Sequence, residues 1–87
     1  MIKQSGLYSI YDRGWRLAFI KVGSKWAHVI TISTPISIRR VKLTALAVDQ
    51  KVPMDAGHCD TFKARCLAMG ERFGITEGAR RILEGGV

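Results

Sequence analysis

Residues 14–33 constrain the fold more than any other stretch of the chain. Two extended runs, Gly14–Val22 and Lys25–Ser33, are rich in Trp, Phe, Ile, Val and Thr and are separated by Gly23-Ser24. Runs of this kind broken by a Gly-X pair predict a β-hairpin with a two-residue II′ turn, glycine supplying the positive φ of the first turn position. A two-residue turn sets the register: Val22 opposite Lys25, Lys21 opposite Trp26, Phe19 opposite His28, Leu17 opposite Ile30 and Trp15 opposite Ile32. Side-chain alternation then places Trp15, Leu17, Phe19, Trp26, Ile30 and Ile32 on one face, with Lys21 and His28 among them. The other face carries Arg16, Ala18, Ile20, Val22, Lys25, Ala27, Val29 and Thr31. The first is a core face. The second is also too apolar to be left in water, so it is expected to be covered by C-terminal helices or by a second copy of the chain, as a homodimer.

The flanking segments extend this ribbon. Gly6–Tyr11 predicts a preceding strand, with Asp12-Arg13-Gly14 as the turn. Ile36–Leu46 predicts a following one, beginning after Thr34-Pro35, where a proline without an N–H belongs at a strand start or edge. Ile36 and Ile38 share one parity, whereas Val41 and Leu43 share the other. That slip across Arg39-Arg40 predicts a β-bulge or sharp bend, with both arginines on an exposed segment.

Near Asp49 the composition turns from β-branched and aromatic residues to Ala, Glu, Lys, Arg, Met and Leu. Gln50–Gly57, with Pro53 and Gly57, reads as a loop. Asp60 is the expected N-cap of a helix whose inner face is Phe62, Cys66, Met69 and Phe73, and Gly74 its C-cap. Thr76-Glu77 then opens a short helix with Ala79, Ile82 and Leu83 inward, ended by Gly85-Gly86. With 87 residues the chain is expected to be one domain, 1–87, with a basic β-rich part at 1–48 and a helical part at 58–85 packed on it. The fold class is α+β: about four antiparallel strands in a small curled sheet or SH3-like barrel, followed by one or two short helices.

Charge separates the two parts. The formal net charge is +7, and all of the excess lies in residues 1–48: Lys3, Arg13, Arg16, Lys21, Lys25, Arg39, Arg40 and Lys42 against Asp12 alone. From residue 49 onward, six basic side chains balance six acidic ones. A basic field of this kind favours an anionic partner through steering and counterion release. Arg16, Lys25, Arg39, Arg40 and Lys42 are the expected phosphate contacts, because cations on a curved sheet can track a phosphate backbone. Trp15, Trp26, Tyr8 and Tyr11 could offer stacking surfaces, although both tryptophans read first as core.

Other classes of activity find little support. The chain has no Gly-x-Ser-x-Gly, no phosphate-cradling P-loop and no His-Glu-x-x-His, so a binding module rather than an enzyme is expected. His28 reads as a buried, hydrogen-bonded strand residue. His58, Cys59 and Cys66 have the wrong spacing and lack a fourth ligand for structural zinc, so neither metal nor cofactor is expected. Cys59 and Cys66 read as reduced thiols, Cys66 in the core. Met69–Thr76 carries a hint of a helix-turn-helix, but the second helix is short and its charge is cancelled, so a helical hairpin packed on the sheet is expected. No apolar run is long enough to cross a membrane, and Met1–Gly6 does not read as a secretory leader, which makes the cytoplasm the expected location.

The run from Trp15 through Ile30 resembles the small SH3-like or KOW-type barrels, and it is similar in style to short proteins encoded by bacteriophages. That resemblance implies a compact accessory protein of the bacterial, or host, cytoplasm that binds nucleic acid or blocks a host machine. Two functions are therefore expected: a basic nucleic-acid-binding module, or a protein-interaction module that sets its basic sheet against an acidic surface of a host enzyme.

Overall fold

A computed structural model describes residues 2–11, 13–49 and 56–85. Four antiparallel strands, β1 (Gly6–Tyr11), β2 (Trp15–Val22), β3 (Trp26–Thr31) and β4 (Ile38–Lys42), are joined by a two-residue β5 (Val48–Asp49). The spatial order is β4-β3-β2-β1-β5, an open, curled sheet and not a closed barrel. Two helices follow, α1 (Ala56–Phe73) and α2 (Glu77–Leu83), so the α+β class holds.

The strand register is explained by its apolar rows. Leu7 pairs with Phe19, Phe19 with Ile30 and Ile30 with Ile38, which lines four large side chains across four strands. The helices sit on this row: Leu7, Phe19 and Ile30 share a core with Phe62, Cys66, Ala79 and Leu83, and Ile38 packs against it. The expected pairing of Phe19 with His28 would have broken the row. Instead Lys21 pairs with His28 and Val22 with Ala27, and Gly23 N–H donates to the Trp26 carbonyl at 2.9 Å. Ser24-Lys25 therefore form the centre of the turn. Gly23 does not have positive φ. It is needed because a Cβ there would lie 2.9 Å from the Trp26 carbonyl oxygen. The displacement is two residues in register, an even number, so both predicted faces keep their members.

The second face is closed from within the chain. Ile10, Ala18, Ile20, Ala27 and Val29 are buried there with Ile2 and Leu43, and Leu46 and Val48 pack against them. A 3-10 turn at Leu43–Ala45 carries the chain off β4, and β5 then pairs with β1 at Ile10↔Val48. Neither the helices nor a second copy is needed to cover this face. The same fact corrects the expected bulge. Val29↔Arg39, His28↔Arg40 and Ala27↔Val41 continue one unbroken ladder, and the strand ends at Lys42 rather than Leu46. The apolar phase slips because both faces of β4 are covered, Ile38 packing beneath the helices and Val41 on the opposite side.

α1 starts at Ala56, so Gly57 is helical and Asp60 lies within the helix instead of capping it. The rest of the expected loop, residues 50–55, lies outside the described residues, as does Asp12 of the first turn. Phe62 and Cys66 are buried as predicted, Met69 is half-buried and Phe73 is half exposed. The buried stripe continues through Gly70 instead, because Ile75 folds back onto that position. Gly74 turns the chain with φ 102°, a conformation that favours glycine, and its N–H bonds the Gly70 carbonyl at 2.8 Å. Thr76 caps α2, its hydroxyl accepting the Ala79 N–H at 3.3 Å. Ile36 N–H donates to the Gly74 carbonyl and Thr76 N–H to the Ile36 carbonyl, both at 3.0 Å. This bridge ties the helical hairpin to the sheet.

Candidate nucleic-acid interface

The five predicted cations do not share one surface. Arg40 and Lys42 have the parity of Ile30 and Ile38 and lie on the helix-bearing face. Arg39 has the parity of Val29 and Val41, and Arg16 that of Ala18 and Ile20, so both belong to the opposite face. Arg16 also sits at the far end of β2, opposite Ile10 of β1. Five residues separate it from Lys21, roughly 16 Å along a strand. Lys25 is exposed in the β2–β3 turn, and its carbonyl accepts the Leu43 N–H at 3.0 Å.

A smaller, denser cluster takes shape where the helices stop. Lys21 pairs with His28 and His28 with Arg40, which puts three nitrogen-bearing side chains in one transverse row on one face. Two strand spacings make this row about 10 Å long. The next row, about 7 Å nearer the turn, holds Trp26 opposite Lys42. Arg40 lies over the Trp26 ring, its guanidinium carbon 4.3 Å from the centroid, and the Lys42 ammonium is 5.6 Å away. Each such interaction is worth about 0.5–1 kcal/mol at an exposed site. Its larger effect is to hold two cations near an indole without neutralising them.

α1 adds a cation of its own. The Lys63 ammonium lies 4.5 Å from the centre of Phe19, whose side chain has the same parity as Lys21 two residues on. Among the described residues, no ion pair holds Lys21, Arg40, Lys42 or Lys63. Glu77 and Arg81, by contrast, pair at 3.3 Å on the exposed side of α2.

Several sequence-based expectations change here. Trp26 is half-buried rather than core, and Trp15 is 62% exposed. Trp15 meets Tyr11 edge-on at 5.6 Å, at the opposite end of the same face. Tyr8 is half-buried on the other face, and its hydroxyl donates to the Gln4 carbonyl at 2.7 Å. His28 is half-buried between Lys21 and Arg40 instead of enclosed in the core. Sequence reasoning misses the part played by Lys21 and Lys63. Strand parity is the signal for Lys21. For Lys63 it is the place beside Phe62 and Cys66, where a lysine stem can run over an apolar ring.

Cys59 and Cys66 are free thiols, and Cys66 is fully buried. Among the described residues no group of His, Cys, Asp or Glu has a metal-holding arrangement, and no helix is long and apolar enough to cross a membrane. The chain matches no protein-family model, and no curated protein and no solved structure is significantly similar to it.

Proposed function

We propose that this chain is a small, basic, non-enzymatic nucleic-acid-binding module of the cytoplasm, and that its binding surface is the end of the sheet bearing Lys21, Trp26, His28, Arg40, Lys42 and Lys63. The observation that carries the reading is the convergence of cations from β2 and β4 around the half-buried indole and imidazole of β3, with Lys63 of α1 over the neighbouring Phe19. Phosphates supply the complementary charge, and counterion release makes each contact favourable at low salt. Arg16 and Arg39 do not belong to this surface. Lys25, at its rim, does.

The test is a salt titration of binding to a fluorescent oligonucleotide, read by anisotropy. Engagement of four or five phosphates gives a log–log slope of about −3 to −4. An affinity that does not change between low and moderate salt removes the proposal.

A further inference from the structure

Beside the cationic rows lies a cleft of about 310 Å³, lined by Ser24, Lys25, Trp26, Lys42, Leu43 and Thr44. It sits between the β2–β3 turn and the 3-10 turn after β4. The hydrogen bond from Leu43 N–H to the Lys25 carbonyl joins these two turns, so the walls belong to one fixed frame. We infer that this cleft takes a single unpaired nucleotide, and that the ligand of the basic face is therefore single-stranded nucleic acid rather than duplex. The inference rests on the nucleic-acid reading given above and narrows it.

Size and chemistry both bear on this. A volume near the lower end of small-ligand pockets suits one nucleotide-sized group and is too small for a folded element. The lining supplies one component for each part of a nucleotide. Trp26 offers an indole against which a base can stack. Lys25 and Lys42 supply charge for the phosphate. Among the described residues, the Ser24 and Thr44 hydroxyls make no hydrogen bond and are available to sugar or phosphate oxygens. A duplex keeps its base faces inside the stack and can present only phosphates and base edges to such a cleft. An unpaired strand can turn a base out onto an aromatic ring. Arg40, its guanidinium carbon 4.3 Å from the centre of the same indole, adds a further cation beside this ring.

The experiment uses the full chain carrying Trp15→Phe, which leaves Trp26 as the sole tryptophan. Trp15 lies outside the cluster and is 62% exposed, so this change spares the fold. Unlabelled 12-mer oligothymidylate and a 12-base-pair duplex are each titrated at the same salt, and Trp26 emission and affinity are recorded. The inference expects tighter binding of the single strand, with quenching of Trp26 that the duplex does not cause. Trp26→Leu should weaken the single strand by roughly 5- to 150-fold, the range set by one base–aromatic stack, and weaken the duplex by clearly less, since the duplex loses only the support that the ring gives Arg40 and Lys42. Trp26→Phe should recover part of the loss. If Trp26→Leu fails to fold, the emission comparison on the Trp15→Phe protein decides alone. Equal affinity for both ligands with unchanged emission overturns the inference and leaves the basic-face reading standing. Polyglutamate of matched charge binding as well as the strand would overturn it too. Absence of binding to either nucleic acid defeats both.

Discussion

Gly70→Ala should destabilise the fold even though alanine is the better helix former. Gly70 is buried where α1 meets the returning chain, and a Cβ there would stand 2.7 Å from Ile75 Cβ, 2.9 Å from its Cγ2 and 3.1 Å from its Cδ1. Carbon atoms pack best at about 3.5–4.0 Å. Side-chain rotation can move Cγ2 and Cδ1 but not Cβ, which is bonded to the Ile75 backbone. Relief therefore requires α1 and the Gly74–Thr76 turn to part by about 1 Å. That turn carries the backbone bonds between Ile36 and the helical hairpin, so the sheet contact would open as well. Overpacking costs about 1–3 kcal/mol, and the immobile Cβ places this case near the top of that range. The propensity gain of alanine over glycine offsets about 1 kcal/mol. The net loss is about 2 kcal/mol, a fall in Tm of roughly 10 °C for a domain of this size. Thermal and urea unfolding followed by circular dichroism measure it. In an Ile75→Gly background the obstructing atoms are gone, and Gly70→Ala should then stabilise by about 1 kcal/mol. A rise in Tm for Gly70→Ala alone would refute the packing argument.

Burial pushes the Cys66 thiol up to about 11 from an ordinary value of 9.0, the nearby Arg65 opposing this more weakly. The unfolded thiol ionises first, so the stability contributed by protonated Cys66 is complete below about pH 9 and is lost as pH rises towards 11, on the order of 3 kcal/mol. Tm should fall more steeply over that window for the native chain than for Cys66→Ala, and parallel curves would contradict the linkage. Thr76→Ala removes the acceptor of the Ala79 N–H and should cost about 1 kcal/mol, seen as a lower urea midpoint that Thr76→Ser restores. Gly23→Ala sets a Cβ 2.9 Å from the Trp26 carbonyl oxygen and should cost about 1–3 kcal/mol; an unchanged melting curve would place the turn elsewhere.

Much of this architecture is written in local pattern. Gly6–Tyr11, the two faces of the central hairpin, Gly74 and the Thr76 cap follow from alternation, turn chemistry and capping, all of which act over a few residues. The turn position is not legible that way. Gly23-Ser24 and Ser24-Lys25 are both acceptable centres, and the remote row Leu7–Phe19–Ile30–Ile38 decides between them. The phase slip in β4 looks like a bulge because a strand covered on both faces shows no single period. For the binding surface, parity assigns Lys21, Trp26 and His28 to one face, but does not say where helical cover ends. Lys21 and His28 lie just beyond that limit, whereas Phe19 lies beneath the helices. The limit depends on where α1 crosses the sheet, which is a tertiary fact. Parity alone does separate Arg40 and Lys42 from Arg16 and Arg39, once β4 is known to run without a bulge.

The most direct test of the binding surface compares salt slopes for two double variants, each with two fewer positive charges. Binding of a single-stranded oligonucleotide by Arg40→Gln/Lys42→Gln should show a slope shallower by about 1.4 than that of the native chain, at about 0.7 for each phosphate no longer engaged. Arg16→Gln/Arg39→Gln, on the opposite face, should leave the slope within error of the native value. Equal changes in the two variants would mean that the chain binds through its overall charge, and the proposed surface would have no special part in recognition.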